Sequence, residues 1–172
     1  MFKKALICMM LLMMTSVAFA KDSDWHKRTG IRFGYAYING VQEAEDLNSP
    51  GEVKRIHPHT SVLGFEMQQA MAGGGWLDIL FIENVSLTGL DQSVINPSAS
   101  LLVGFEIDEQ IQLGVGPHLS FFDASGENRY IHLIVAAGYT AQAGLLSVPL
   151  HVTFVPDVDG FWAMAITTGV NW

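Results

Sequence analysis

Apolar and polar residues alternate along most of the chain after residue 30, and a period of two marks strands with two unlike faces. In 161–172 every second position from Trp162 is bulky or threonine: Trp162, Met164, Ile166, Thr168, Val170 and Trp172. Between them stand Ala163, Ala165, Thr167, Gly169 and Asn171, all small or polar. The stretch 111–121 alternates most cleanly, with Ile111, Leu113, Val115, Leu119 and Phe121 against Gln112, Gly114, Gly116, His118 and Ser120. The same pattern predicts strands over 30–39, 60–71, 76–87, 98–107, 130–141 and 146–154. The segment 76–87 is the least regular, because Leu80 and Ile82 put apolar residues on both faces of its centre. Eight strands result, each near the roughly 9–11 residues that a tilted strand needs to cross a bilayer.

The connections sort by parity. The first, third, fifth and seventh are 40–54, 88–97, 122–129 and 156–160, and each exceeds every one of 72–75, 108–110 and 142–144. A soluble sandwich has no reason to sort its loops in this way, whereas transmembrane barrels carry long outside loops and short periplasmic turns. Trp162 and Trp172 stand near opposite ends of one face, and Tyr130 and Tyr139 near opposite ends of another strand, as two interfacial girdles require.

The stretch ending in Trp172 resembles the closing strand of bacterial outer-membrane β-barrels, whose chains typically end on Phe or Trp. The resemblance implies an all-β fold, an eight-stranded antiparallel up-and-down transmembrane β-barrel of the OmpA/OmpX type. It also implies an assembly signal in Trp162, Met164, Ile166, Val170 and Trp172 that the barrel-assembly machinery reads. The segment 145–172, with Val148-Pro149-Leu150, a Val155-Pro156-Asp157-Val158-Asp159-Gly160 turn and a closing Gly169-Val170-Asn171-Trp172, is similar to a poorly characterised subgroup of small bacterial barrel proteins. That similarity covers about the last sixth of the chain and brings no functional residues with it.

Residues 1–20 read as a signal peptide: Lys3 and Lys4, an apolar run from Ala5 to Met14, and an Ala18-Phe19-Ala20 cleavage site. Residues 21–29 follow as a polar periplasmic lead-in, and 30–172 form the barrel domain. The single cysteine, Cys8, lies in the leader, so the mature chain has no disulfide and no thiol chemistry. Nine Lys and Arg against seventeen Asp and Glu give −8, and removal of Lys3 and Lys4 makes this −10. Such a chain repels phosphates, which argues against nucleic-acid binding. Its address is the outer membrane of a Gram-negative bacterium, as a monomer in contact with lipid and lipopolysaccharide.

The face opposite the apolar one carries Arg32, Glu66, Gln68, Asp78, Glu106, Gln112, His118, His132 and His151. In an eight-stranded barrel the interior is just wide enough to be filled by side chains, so these residues are expected to form a polar, hydrogen-bonded core with Arg32 as its cation. The sharper alternative is a proton-sensitive or ion-conducting interior, since histidine titrates near neutral pH. His57, His59 and Ser61 are the candidates for lipid hydrolysis, and His57-Pro58-His59 has metal-ligand spacing but no third ligand. No G-x-S-x-G signature is present. The glycine run at 73–75 is turn chemistry without a phosphate-loop lysine. The expectation is therefore a structural or surface-interaction role without catalysis, cofactor or metal, with acidic outer loops (Glu43, Glu45, Asp46, Glu52) offered to partners or divalent cations. The alternatives are a narrow pore, a carrier of small apolar molecules, or a soluble periplasmic ligand-binding barrel, the last kept open by Leu80, Ile82, Leu102 and Ile134 facing inward.

Overall fold

The computed structural model describes residues 25–40, 43–45, 52–55, 57–71, 76–120, 131–156 and 162–172. Ten strands are found among them: β1 (Trp25–Ile38), β2 (Glu43–Glu45), β3 (Val53–Arg55), β4 (His59–Met71), β5 (Leu77–Thr88), β6 (Asn96–Ile107), β7 (Ile111–Ser120), β8 (Ile131–Ala143), β9 (Leu146–Val155) and β10 (Ala163–Asn171). Eight of them close into one barrel in the order β1-β4-β5-β6-β7-β8-β9-β10, and β10 returns to β1. Every neighbouring pair is antiparallel. This is the eight-stranded up-and-down barrel that the alternation predicts.

The register sets the tilt. Cross-strand partners lead from Lys27 through Gln69, Phe81, Val103, Val115, Val135, Phe154 and Met164 to Tyr37, ten residues further along β1. A stagger of that size tilts the strands by about 35–45° from the barrel axis. The short-turn end holds Asp108–Gln110 and Gly144-Leu145. In the first of these, Asp108 and Glu109 both take positive φ (50° and 57°), the handedness that matches the strand twist in tight hairpins.

The two faces are inverted relative to a soluble protein. Phe33, Phe65, Val103, Val115, Val135 and Ile166 lie exposed on the outer wall. Arg32, Glu66, Gln68, Glu106 and Gln112 are buried within it. Trp172 and Tyr139 stand on the outer wall towards the short-turn end, and Tyr35, Tyr37 and Trp162 towards the other. Tyr130 lies outside the described residues.

Three details differ from the sequence pattern. β1 begins at Trp25, five residues before the expected start, because Trp25–Thr29 run on as a ladder against Met71–Met67. Residues 25–29 therefore belong to the barrel and are not a lead-in. Residues 1–24 lie outside the described residues. Within the first long connection β2 and β3 pair as a short hairpin, with Glu43 opposite Arg55 and Glu45 opposite Val53. Of the acidic loop residues, Glu52 is exposed and Asp46 lies outside the described residues. The connection 89–95 is folded around a 3-10 turn at Leu90–Gln92. The connections at 72–75, 121–130 and 157–161 lie outside the described residues.

The outer belt has one polar interruption on β4 and β5. Half-buried Glu83 accepts a hydrogen bond from Gln69 Nε2 at 3.4 Å. Its neighbours are Phe81 and Val85 along the strand and Met67 and Leu101 across it. Once the stagger is allowed for, Glu83 sits near the level of Ile31, about midway between Trp172 and Trp162. If the belt faces lipid, Val115→Lys and Val135→Lys should each lower unfolding free energy by about 2–4 kcal/mol, and Glu83→Leu should raise it by up to about 2 kcal/mol. Urea titration in phospholipid vesicles measures both, and a neutral Val115→Lys would mean that this face is not in lipid.

Candidate functional site

The interior is organised around Arg32. Its cross-strand neighbours are Gly64 on β4 and Gly169 on β10. A Cβ on Gly169 would stand 1.8 Å from the Ile31 carbonyl oxygen and 3.1 Å from Arg32 Nη1. Only glycine leaves room for the guanidinium there. Arg32 is 1% exposed. Its Nη2 donates to Glu66 Oε1 and its Nη1 to Asn171 Oδ1 at 2.6 Å.

From Glu66 the bonding spreads across the lumen. Gln68 Nε2 donates to Glu66 Oε1 at 2.7 Å and to Gln112 Oε1 at 3.2 Å. Gln112 Nε2 returns a bond to Gln68 Oε1 at 3.1 Å and donates to Glu106 Oε1 at 2.6 Å. Glu106 also accepts from Arg28 Nη1 at 2.5 Å. His151 closes the circuit, with Nε2 2.8 Å from Gln112 Oε1 and Nδ1 3.6 Å from Glu66 Oε2. The second contact becomes an ion pair when the imidazole is protonated. The ring of His151 lies over Gly138, its partner on β8, where a Cβ would stand 2.2 Å from the ring. Asn84 reaches Glu66 Oε2 at 3.5 Å. Side chains from β1, β4, β5, β6, β7, β9 and β10 thus form one polar plug. Charged hydrogen bonds of this kind hold buried charges that would be untenable alone.

Beside and above the plug the interior changes character. Ala70, Leu80, Ile82, Leu102 and Ile134 form a buried apolar cluster. Between it and the long-connection end lies a cavity of about 180 Å³, floored by Arg32, Glu66 and His151. The expectation of an interior filled throughout by side chains meets a divided lumen. The reason is residue size, since Ala36, Ala136, Ala163, Ala165, Ser98 and Ser100 line the wider half. His118 and His132 face each other across β7 and β8 and also line the cavity.

The outer end of β4 carries the residues with candidate hydrolytic chemistry. Ser61 Oγ donates to Asp91 Oδ1 at 2.7 Å, and the Ser61 amide and Thr60 hydroxyl bond the same oxygen at 2.9 and 3.1 Å. Partial burial pushes the Asp91 carboxyl up, but these hydrogen bonds outweigh it and hold the group below the usual carboxylate range. His59 is not between them: its ring packs on Tyr35 at 5.6 Å and against Tyr37 at 5.0 Å. Gln92 ties the 89–95 connection down, accepting from the His57 amide at 2.7 Å and donating to the His59 carbonyl at 2.7 Å. Ser61, Asp91 and His59 thus form an anchored rim in which the Ser61 hydroxyl is paired with a carboxylate and the His59 ring with aromatic residues. Among the described residues no cluster of three His, Cys, Asp or Glu could hold a metal.

Of the nine residues expected inside, Arg32, Glu66, Gln68, Glu106, Gln112 and His151 meet in the plug. Asp78 is buried and faces Glu106 in the β5–β6 register. His118 and His132 stand apart from His151, in the cavity wall. Arg28 and Asn171 complete the plug without having been singled out. Counting back in twos from Arg32 through Gly30 places Arg28 on the same face, and this signal was available in the sequence. The expectation that Arg32 is the only inward cation besides histidine fails for that reason.

Arg32→Met or Glu66→Leu strands a buried charge and should each destabilise the barrel by about 3–5 kcal/mol. Arg32→Met/Glu66→Leu together should lose less than the sum, as read by a urea double-mutant cycle. Additive losses would mean that the two side chains do not act as a pair. Asp91 behaves oppositely to a raised group: its contribution is complete above the ordinary carboxylate pKa and is lost as pH falls through the lowered value. The protection factor of the Ser61 amide should therefore drop in acid, and in Asp91→Asn it should be low and show no such step.

No family model matches the chain, and no curated protein matches it. Among solved structures the chain is similar to the crystal structure of Ail, the attachment invasion locus protein of Yersinia pestis. Identity is 16% over 85% of this chain and 97% of that one, with a TM-score of 0.46. The backbone structure of Ail in a phospholipid bilayer nanodisc gives 14% identity, 86% and 100% coverage and a TM-score of 0.44. The crystal structure of Ail with the heparin analogue sucrose octasulfate gives 12%, 85% and 97%, and 0.43. The closed antiparallel sheet of eight strands, apolar outside and polar inside, has the architecture of a small outer-membrane β-barrel.

Proposed function

We propose that the chain is an exported outer-membrane barrel of a Gram-negative bacterium that acts at the cell surface and does not conduct. Residues 1–20 serve as its signal peptide, the short-turn end faces the periplasm, and the long connections face outward. The observation that carries this reading is the plug. A hydrogen-bonded network from Arg32 to His151 crosses the lumen and stands in the path of a permeating ion. A largely apolar outer wall, interrupted at Gln69 and Glu83, with aromatic residues near both ends supports insertion in lipid. With the lumen closed, interaction falls to the outer rim, where His59, Tyr37 and Trp162 pack together and the 89–95 connection is pinned.

The non-catalytic reading is supported by Ser61, whose hydroxyl donates to Asp91, a carboxylate made weakly basic by its other hydrogen bonds, and not to a histidine. Lipid and lipopolysaccharide are the partners of the wall. The barrel-assembly machinery is the partner of the Trp162-to-Trp172 strand, and the working unit is a monomer.

In cells, the full chain should fractionate with the outer membrane and migrate faster without boiling than after it. In planar bilayers the refolded barrel should give no steady conductance, whereas Arg32→Ala/Glu66→Ala should leak. Recovery in the soluble periplasm without a mobility shift would end the membrane reading. A stable ohmic channel from the unaltered chain would end the plug.

A further inference from the structure

We infer that the wide half of the lumen is a binding cup for one small, uncharged, ring-bearing molecule with a hydrogen-bonding edge. The inference does not depend on where the barrel resides. An eight-stranded barrel is narrow enough for side chains to fill it, and in the plug they do. In the other half the inward positions are Ala36 on β1, Ser98 and Ser100 on β6, Ala136 on β8, and Ala163 and Ala165 on β10. Six small residues on four strands leave about 180 Å³ unfilled. An apolar cavity of about 150 Å³ accepts benzene, so this volume suits a single ring with one or two substituents.

The cup has two unlike walls. One, from β5, β6 and β7, carries Asn84, Ser86, Ser98, Ser100, His118 and Ser120. The other, from β8, β9, β10 and β1, carries Ile134, Ala136, Val155, Ala163, Ala165 and Ala36 with His132, Thr153 and Thr167 among them, and Ile82 and Leu102 put apolar surface on the first wall as well. A molecule that fits would lay an apolar face against the alanines and Ile134 and turn a polar edge towards Asn96, His118 and the serines.

Groups that could serve that edge stand on the polar side. Ser86 and Ser98 bond each other at 2.8 Å, and Asn96 Nδ2 donates to Ser120 Oγ at 3.3 Å. Asn96 Oδ1 and His118 Nδ1 are buried and have no hydrogen-bond partner among the described residues, and both residues line the cup. Asn96 is 6% exposed. Buried polar atoms are rarely left so. A hydroxyl or amide N–H on a bound ring would donate to Asn96 Oδ1, and His118 Nδ1 would donate or accept according to its tautomer. The floor adds no free charge, because the Arg32 guanidinium is matched by Glu66. A charged ligand would gain nothing there to offset its desolvation.

Phenol is the probe, titrated into the full mature chain in phospholipid nanodiscs, with methyl and imidazole NMR signals as the readout. Saturable shifts are expected at Ile134, Ile82 and His118, with toluene and benzoate each at least tenfold weaker. Ser100→Phe fills the cup and should abolish the shifts while keeping the heat-dependent mobility of the folded barrel. Ser100→Leu serves if the larger residue prevents folding. Asn96→Leu should erase the preference for phenol over toluene. Shifts confined to wall methyls such as Ile166 and Leu113, or shifts unchanged in the filled variant, would mean partition into lipid and overturn the cup. Equal affinity for toluene and phenol would overturn the polar edge.

Discussion

The pairing of β1 with β10 is the constraint on which everything else rests. An open sheet with this outer face would expose two rows of backbone N–H and C=O groups, which hydrocarbon cannot satisfy. Closure removes both. The ladder runs from Gly30–Asn171 to Ile38–Ala163, and Thr29 and Trp172 exchange backbone bonds beyond it at 3.1 and 2.8 Å. Its register has a local consequence: Arg32 arrives between glycines on both sides, with Asn171 within reach. A one-residue slip would turn every inward side chain of β10 outward, and Gly169 would no longer lie beside the guanidinium.

Closure also decides how charge is stored. Ring geometry puts two arginines and several carboxylates into a space without bulk water, where each ion needs partners on more than one strand. Glu66 illustrates this, accepting from Arg32, Gln68 and Asn84 on three strands. Gln68 and Gln112 matter as much as the ions. Each amide both donates and accepts, so together they link the Arg32–Glu66 pair to the Arg28–Glu106 pair without adding charge. Such a network couples seven of the eight barrel strands, which is a reason for the plug to be rigid.

The facing of the strands was legible because a period of two is a property of the backbone, independent of what packs against it. Ile111 to Leu119 could be sorted into wall and lumen residue by residue. Even the irregular centre of β5 sorts correctly, since Leu80 and Ile82 are inward and buried. Register is another matter. Whether His151 meets Gln112 or the other histidines depends on pairings between strands far apart in sequence, and alternation carries no information about them. Arg28 was missed because the polar residues before Gly30 looked like a tail, although the alternation continues through them. The fold of 89–95 escaped for a third reason: Gln92 and Asp91 are ordinary loop residues until β4 presents backbone groups to bind.

The plug and the cup are two uses of one cross-section, and the choice between them is made by side-chain size along single strands. On β10 the inward positions run Ala163, Ala165, Thr167, Gly169, Asn171 towards the short-turn end. On β6 they run Asn96, Ser98, Ser100, Leu102, Gly104, Glu106. In both strands small residues gather at the long-connection end, and the residue that bonds into the plug stands near the other end. The glycines near the plug sit beside the bulkiest members, Arg32 and His151, where they admit volume; of the alanines and serines of the wider half, Ser100 alone has a ring as its cross-strand partner, His118, and the space beside the others stays open. Small residues therefore mean opposite things at the two ends, close packing at one and a kept cavity at the other. That asymmetry is difficult to explain by stability alone, because filling the wide half would add buried apolar contact.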